Sequence, residues 1–393
     1  MAVWVASATV SLVALGAACS SGDSTAAASA AGGAPGASST ASTGGPEPSS
    51  SPADVSCISS ARASSSSSVG GPGGARGEAG ASSSGGASGG GDLGGSGGSG
   101  GALPTCDACV TVASLPHGSK PYGIFVDDQN VYWTNSGTGE VMQAKTDGTN
   151  VVTLTTGEDS PITVQVFQGN VYWASYSVIG VIRMTPIGGG PVVNLSTAPA
   201  AREILIGSQF IWWTREPDDV QRMPVTGEPD AMPPDLLTGN LLSEGLAGDD
   251  ASVYWVNRGD GFVKRADLDL SNETPLAAGD IPFDVAVDDA TIYWTEVGSS
   301  PSTGRVVRAS KVDGANALPL ATGQASPMGI AIDAAGVYWA NNADGTIHAA
   351  PIDGSTDEVT LAVGQAAPIN VAVDASFVYW ANTEGDAIVK VAK

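Results

Sequence analysis

The chain has 393 residues and a formal net charge of −24 at pH 7, from 40 acidic and 16 basic side chains. A surface with this excess of negative charge repels phosphate backbones and anionic lipid headgroups, which argues against nucleic-acid binding and against direct membrane-surface binding. Six acidic and two basic residues precede residue 110, which leaves a net charge of −20 on the remaining chain. Basic partners or bound cations are favoured instead.

Residues 2–18 form an apolar run that ends at Cys19 and is followed by Ser and Gly. A short apolar run with small residues at its end is typical of an export signal rather than a membrane span. The segment resembles a bacterial lipoprotein signal, which implies that Cys19 becomes the lipidated first residue of an exported, cell-surface protein. Gly16 stands where that family has a branched residue, and plain secretion or an uncleaved helix are the alternatives.

The next segment, residues 20–103, consists almost entirely of Ser, Gly, Ala, Thr and Pro. Such a composition offers too little apolar surface to offset the entropy of ordering, so we predict a disordered tether. A flexible chain of this length has a root-mean-square reach of very roughly 50 Å. The tether would hold a folded domain away from a lipid anchor, which is the only membrane attachment we expect.

Two cysteines, Cys106 and Cys109, form a C-D-A-C sequence directly before the repeats. A lone pair with this spacing suits a redox site, half a zinc site or a small disulfide. The chain has no second such pair, and its two histidines are His117 and His348, which disfavours zinc. Export favours a structural disulfide, and Cys57 then has no evident partner.

From Pro121 onward the chain repeats a unit that contains a Tyr-Trp or Trp-Trp pair. The second Trp of the pair recurs every 39 to 45 residues, at Trp133, Trp173, Trp213, Trp255, Trp294, Trp339 and Trp380. A period near forty with one aromatic strand in each unit is typical of a β-propeller blade. The sequence therefore predicts an all-β fold with seven blades.

Each unit contains four predicted strands, of which the first unit gives an example. A short inner strand, Gly123–Asp127, ends in an Asp that can bond its own backbone in a turn. The Tyr-Trp strand follows, then a third strand at Val141–Lys145, a D-G turn, and an outer strand at Val151–Thr155. Four strands in each unit predict four-stranded blades.

The two ends of the repeat region predict how the ring closes. The last unit ends after its third strand, whereas a spare strand, Val110–Leu115, precedes the first unit. Pairing the two would complete the last blade and remove two open sheet edges. We therefore predict an export signal at 1–19, a tether at 20–103 and a seven-bladed propeller at 104–393, with six blades as the alternative.

The repeats resemble the Y-W-T-D propellers of the low-density-lipoprotein receptor type and, more loosely, bacterial exported propellers with Y-W-x-N units. That resemblance implies that the motif residues support neighbouring blades, and members of the family have six blades. Thr is kept at Thr134, Thr214 and Thr295. The Asp position holds Asn135, Ser175, Arg215, Asn257, Glu296, Asn341 and Asn382.

Functional residues are expected where the units differ, on the loops that precede each inner strand and those that join the second and third strands. The third unit differs most, with Arg202, Glu203 and a Trp-Trp pair. The candidate binding residues are Trp212, Arg215, Glu216, Arg258, Glu296, Tyr176, Asp284 and Asn370. No catalytic residue is assigned.

Three functions are compatible with these patterns. The first is a non-catalytic, monomeric binding module for a protein or glycan. The second is a metal-dependent hydrolase or lyase, by analogy with lactonase-type propellers, in which channel carboxylates hold Ca²⁺ or Mg²⁺. The third is a structural component of the envelope. We favour the binding module, which needs no cofactor, and leave any metal ligands unassigned.

Overall fold

The computed structural model describes residues 106–217, 219–227 and 235–393. These residues form twenty-eight β-strands and contain no helix, so none of them makes a helix that could cross a membrane. The predictions for Cys19, Cys57 and the segments 1–19 and 20–103 lie outside the described residues. The propeller predicted at 104–393 can be compared with the strands directly.

The strands fall into seven four-stranded antiparallel sheets, numbered here as blades 1 to 7. The first strands are β1 (Val110–Ser114), β2 (Pro121–Val126), β3 (Asn130–Asn135), β4 (Glu140–Lys145), β5 (Val152–Thr156), β6 (Pro161–Phe167), β7 (Asn170–Ser175), β8 (Val181–Pro186) and β9 (Val193–Thr197). The middle strands are β10 (Ala201–Ile206), β11 (Phe210–Arg215), β12 (Asp219–Pro224), β13 (Asp235–Thr238), β14 (Ser243–Gly248), β15 (Ser252–Asn257), β16 (Phe262–Asp267), β17 (Thr274–Ala278), β18 (Pro282–Val287) and β19 (Thr291–Glu296). The last strands are β20 (Gly304–Ser310), β21 (Leu318–Gln324), β22 (Pro327–Ile332), β23 (Gly336–Asn341), β24 (Thr346–Pro351), β25 (Val359–Ala362), β26 (Pro368–Val373), β27 (Phe377–Asn382) and β28 (Ala387–Ala392).

The blades form a closed ring around a central channel. Each inner strand contacts the next, in the order β2, β6, β10, β14, β18, β22 and β26, and β26 contacts β2 again. Blades 1 to 6 are β2–β5, β6–β9, β10–β13, β14–β17, β18–β21 and β22–β25. Blade 7 has the strand order β26, β27, β28, β1. The prediction of seven blades closed by the N-terminal strand is confirmed, and six is excluded.

The hydrophobic core lies between blades rather than within any one of them. Seven buried clusters occupy the seven interfaces of the described ring. Side chains alternate along a strand, so the Tyr and Trp of one motif point to opposite neighbours. Trp173 of blade 2 shares a cluster with Tyr132 of blade 1, and Trp133 of blade 1 shares one with Tyr379 of blade 7. The aromatic pairs therefore join the blades into a ring.

The first inner strand, β2, begins two residues earlier than the predicted Gly123–Asp127, because its first pairing includes a β-bulge. In blade 1, Pro121 pairs with Asn135 while Ile124 pairs with Trp133. The amide at the bulge, that of Gly123, donates to the Thr134 hydroxyl at 3.0 Å. A motif Thr therefore satisfies the amide that the bulge leaves without a strand partner.

The motif Thr also links successive blades. In blade 3 the Thr214 hydroxyl donates to the Glu244 carbonyl of blade 4 at 2.6 Å. In blade 5 the Thr295 hydroxyl donates to the Met328 carbonyl of blade 6, also at 2.6 Å. These bonds tie the bulge of one inner strand to the start of the next.

The Asp that ends an inner strand has a second partner that the sequence did not indicate. The Asp127 carboxylate accepts from the amides of Gln129 and Asn130 at 2.8 and 2.7 Å, as the turn prediction requires. It also accepts from the Tyr132 hydroxyl at 2.9 Å. The same bond recurs in the pairs Asp249–Tyr254, Asp288–Tyr293 and Asp374–Tyr379. The motif Tyr is thus tied to its own turn.

In blades 6 and 7 the Asn at the end of the Y-W-x-N sequence shares a partner with the motif Trp. The side-chain oxygen of Gln324, at the end of blade 5, accepts from the Trp339 indole at 3.0 Å and from Asn341 at 2.9 Å, both in blade 6. In blade 7 Gln365 makes the same two bonds, with Trp380 and Asn382. An Asn suits this position because its amide can donate to the shared oxygen.

Ring closure is reinforced at the junction between blades 7 and 1. Strand β1 pairs with β28, with Ser114 opposite Ala387. Just before β28, the Asp386 carboxylate accepts from the backbone amides of Gly118 and Lys120, both at 2.9 Å. One carboxylate therefore holds the connection from β1 to β2 against the last blade.

The disulfide lies at the start of the described chain. The sulfur atoms of Cys106 and Cys109 are bonded, and both residues are packed against the buried cluster between blades 6 and 7. The bond therefore closes a short turn immediately before β1.

Substituting Asp386→Ala should lower the midpoint of thermal unfolding by a few degrees. The change removes the acceptor of two backbone amides, a loss of about 1–3 kcal/mol in total. Asp344→Ala is the control, because Asp344 bonds the Thr346 hydroxyl within its own loop of blade 6. Equal shifts in the two variants would contradict a special role of Asp386 in closure.

Candidate functional site

The first residues of the inner strands surround the loop-side mouth of the central channel. Neighbouring inner strands carry different side chains at their second residue, so this end of the ring presents several kinds of chemical group. The pocket at the mouth is lined by Tyr122, Ile162, Arg202, Glu203, Glu244, Gly245, Phe283, Asp284 and Asn370. Its free volume is about 20 Å³, room for one water molecule or a small ion.

Five side chains from blades 2, 3 and 4 form a continuous polar chain, which we call the mouth network: Tyr176, Glu216, Arg202, Glu244 and Arg258. The Tyr176 hydroxyl donates to Glu216 at 2.7 Å, and Arg202 Nε donates to Glu216 at 2.9 Å. Arg202 Nε lies 3.7 Å from Glu244, which also accepts from Arg258 at 2.9 Å. Charges from three blades are thus held together at the mouth.

Aromatic rings support both arginines of the network. The Arg202 guanidinium lies 4.2 Å from the centre of the Tyr176 ring, and that of Arg258 lies 5.9 Å from Phe283. A cation over a ring face is attracted by the ring quadrupole. The side chains of Arg202 and Arg258 are 20% and 37% exposed. The network therefore presents cationic groups to solvent in fixed positions.

Charges and burial oppose each other within the network. Burial raises the pKa of the Glu244 carboxyl, although Arg202 and Arg258 lower it. Burial alone would lower the pKa of Arg202, but Glu244 and Glu216 outweigh it and raise the pKa. Burial and the Glu244 charge raise the pKa of Tyr122 to about 12. Tyr122 therefore remains neutral near pH 7.

Two carboxyl groups face the channel below the network. Glu203 accepts from the Thr163 hydroxyl and from the Ile204 amide at 3.1 Å. Asp284 accepts from the amides of Val285 and Ile330 at 2.8 and 2.9 Å. Burial within the ring raises the pKa of Glu203 to about 8 and that of Asp284 to about 6, and the Asp284 charge adds to the shift of Glu203.

A glycine on the neighbouring strand makes room for Asp284. A Cβ atom at Gly245 would lie 2.4 Å from the Asp284 carboxylate, closer than real Cβ contacts allow. Gly329 stands in the same relation to Asn370, whose side-chain oxygen would be 2.8 Å away. The sequence signal for these channel side chains is a pair of residues one unit apart. The first is a glycine at the third position of an inner strand, and the second is a polar residue at the third position of the next inner strand.

The structure brings together five of the eight candidate residues. Tyr176, Glu216 and Arg258 belong to the mouth network, and Asp284 and Asn370 line the pocket beside it. Arg202, Glu203, Glu244 and Tyr122 complete the site. The sequence pointed to Arg202 and Glu203 as features of the most divergent unit, but none of the four was among the eight candidates. Their common signal is their position as second or third residue of an inner strand.

The other three candidates belong to the framework rather than to the loop surface. Trp212 is 1% exposed and replaces the motif Tyr in the core between blades 3 and 4, where it shares a cluster with Trp255. Glu296 is 1% exposed and accepts from the Trp294 indole at 2.9 Å. Arg215 forms an ion pair with its strand neighbour Asp219. Strand alternation turns Trp212 and Glu296 towards a neighbouring blade, which explains their burial, whereas the Arg215 side chain is 26% exposed.

The channel carboxylates are already engaged by protein donors. Glu244 is paired with two arginines, while Glu203 and Asp284 accept backbone amides. Within the described ranges, no group of three or more His, Cys, Asp or Glu side chains is arranged to hold a metal ion.

No protein-family model matches the sequence. A protein described as low-density lipoprotein receptor-related protein 1, from Pyricularia oryzae, is 26% identical over 272 residues, which span 59% of this chain and 78% of that protein. Virginiamycin B lyase from Staphylococcus aureus superposes with a TM-score of 0.61 at 16% identity, covering 72% of this chain and 99% of the lyase. The WD40 propeller domain of Doa1 has a TM-score of 0.60 at 11% identity, covering 72% of this chain and 96% of that domain.

These comparisons support the propeller fold from two directions. The description of the receptor-related protein is in line with the resemblance to low-density-lipoprotein receptor propellers, and the two solved structures match the ring of blades. At identities of 16% and 11%, the structural likeness carries no information about ligand or reaction.

Substituting Glu203→Gln should remove a pH-dependent loss of stability. The folded-state pKa of about 8 is raised above the ordinary value of 4.5, so the protonated group stabilises the fold below pH 4.5. This stabilisation is lost as the pH rises to 8. The glutamine cannot ionise and keeps an acceptor for Thr163, so the stability of the variant relative to the wild type should rise between pH 5 and 8.

Denaturant unfolding of both proteins at several pH values measures this difference. Glu384→Gln is the matched control, because Glu384 is an exposed glutamate on the same loop face. A difference between wild type and Glu203→Gln that does not change with pH would contradict the prediction.

Proposed function

We propose that the chain is a non-catalytic binding module that takes a protein or glycan ligand at the channel mouth. The observation that carries the proposal is the mouth network, in which residues that differ between the repeats converge from three blades. The framework residues that recur in the repeats have structural partners inside the ring. The network instead holds two partly exposed arginines over aromatic rings, an arrangement suited to recognition.

We further propose that the module is exported and held at the cell surface. The sequence before residue 106 supports this through its apolar run, Cys19 and the Ser/Gly-rich segment. The negative charge of the chain argues against nucleic acid and against an anionic membrane surface as the partner. A monomer attached only by its lipid is the simplest assembly with these features.

Binding at the mouth should depend on Arg258. We would expose the full chain to a glycan array and to a displayed library of random dodecapeptides, and titrate the probes that bind. Arg258→Ala removes a guanidinium that contacts Glu244 and Phe283, so we expect at least tenfold weaker binding, about 1.4 kcal/mol.

Arg265→Ala is the matched control for this measurement. Arg265 also reaches a neighbouring blade, since it donates to the Val312 carbonyl at 2.9 Å, but at the turns that join third and fourth strands. Ligands that bind both variants equally would place the binding surface elsewhere. Absence of binding by any probe would favour the structural role in the envelope.

A second candidate function, a lyase or hydrolase, is favoured by the channel carboxyl groups. Near pH 7 the raised pKa values leave Glu203 mainly protonated and Asp284 mainly ionised, so a proton donor and a proton acceptor face one channel. Such a pair suits general acid–base chemistry. The structural neighbour that is a virginiamycin B lyase shares only the fold.

The binding-module proposal predicts no turnover of ester and lactone probes. The probes would include quinupristin, which is present in a structure of the inactive lyase. The full chain would be assayed with EDTA, and with added Ca²⁺ or Mg²⁺. Turnover by the wild type that falls in the Asp284→Asn variant would establish the second candidate, and dependence on either metal would restore the metal-dependent version.

A further inference from the structure

Two pairs of aliphatic side chains are exposed on the loop face beside the mouth network. Val178 and Ile179, in the loop between β7 and β8, are 89% and 76% exposed. Leu241 and Leu242, in the connection before β14, are 49% and 39% exposed. We call these four residues the aliphatic edge. Consecutive aliphatic residues with this exposure are unfavourable in water unless a partner covers them.

The aliphatic edge and the mouth network belong to one continuous surface. Backbone hydrogen bonds connect the loops that carry them, so the two aliphatic pairs occupy fixed positions on either side of Glu216. Four bonds make these links, each from a backbone amide to a backbone carbonyl at 2.7 to 3.1 Å. They join Ala200 to Ser177, Glu216 to Ala200, Leu242 to Pro217 and Arg258 to Leu242.

Other exposed aliphatic residues in the described part of the chain have a different distribution. Val110, Leu318 and Val359 each begin an outer strand as single exposed residues, one to a blade, whereas Val192 and Val193 form a further exposed pair on the outer edge of blade 2. Such single residues are normal on a protein surface. The two pairs of the aliphatic edge, on blade 2 and at the entry to blade 4, are instead concentrated on the arc of the ring that carries the network.

The charge of the loop face selects the kind of partner. Asp159, in the connection before blade 2, and Asp344 and Glu384, on blades 6 and 7, are exposed on loops of this face, where the exposed cations are Lys120 and Arg258. The arginines of the network are balanced by Glu216 and Glu244. A partner with positive charge is therefore attracted to this face, in agreement with the net charge of −20 on residues 110–393.

The aromatic rings of the site are poorly placed for a sugar. The face of the Tyr176 ring is covered by the Arg202 guanidinium at 4.2 Å. That face of the ring is therefore not available to stack against a pyranose. Aliphatic side chains, by contrast, bury well against the apolar side chains of a polypeptide.

We propose that the aliphatic edge docks a protein partner through an apolar segment flanked by basic side chains. The proposal rests on the proposed function as a binding module and specifies its ligand as a polypeptide rather than a glycan. The aliphatic pairs supply contact area, and the surrounding carboxylates orient the basic groups of the partner.

The test uses the full chain and a displayed library of random dodecapeptides. The selected peptides should contain both aliphatic residues and Lys or Arg residues, and synthetic copies of these peptides should bind the full chain in a titration. The double substitution Val178→Ser and Ile179→Ser should weaken that binding at least tenfold. The double substitution Val192→Ser and Val193→Ser, which changes an equally aliphatic pair on the outer edge of blade 2, should leave it unchanged.

Several outcomes would overturn the proposal. The first is that the library yields acidic or purely polar peptides, and the second is that the two double variants bind equally. The third is that the wild type self-associates as its concentration rises, whereas the Val178→Ser, Ile179→Ser variant does not. Binding of a glycan that depends on Arg258 but not on Val178 and Ile179 would refute the polypeptide ligand while leaving the binding module intact. Failure of every probe would refute both.

Discussion

The fold depends on the burial of each motif Trp against the preceding blade. Trp380 shares its buried cluster with Tyr338 of blade 6, Trp255 with Trp212 of blade 3, and the same relation recurs around the ring. A single unit cannot cover its own Trp, because the Tyr and Trp of one strand point to opposite sides. The first and last blades must therefore meet, and the strand added from the N-terminal side gives the last blade its full width.

The same constraint explains why so much of the fold follows from the sequence. Residues that serve the interfaces recur in every unit, so period, strand order and closure could all be predicted from the repeats. The hydrogen-bonding partners were harder to predict. Gln324 and Gln365 lie fifteen residues before the Trp whose indole they bind, and a single sequence does not distinguish them from surface glutamines. The partners become evident only once the register of the strands is known.

Site residues were predictable by face but not individually. Loop position placed Tyr176, Glu216 and Arg258 at the channel mouth, where the structure brings them together, whereas Trp212 and Glu296 are buried in the framework. Both errors have one cause. A residue that differs from the repeat can serve function, or it can fill the same packed position with a different side chain. Glu296 is of the second kind, since a Cβ at Gly279 would lie 2.8 Å from its carboxylate, so the two positions are matched.

The internal pairing of the mouth network limits how it can contribute to affinity. A ligand carboxylate that approached Arg202 would compete with Glu216 and Glu244, and breaking a buried pair leaves an uncompensated charge. The network is therefore better suited to shape and orient a surface than to bind strongly through new ion pairs. Apolar area beside it then has to supply most of the affinity, and the exposed aliphatic side chains of this face occupy that position. On the proposed function, the rigid polar centre and the apolar edge form one binding surface, on a ring whose repeated interior residues serve packing.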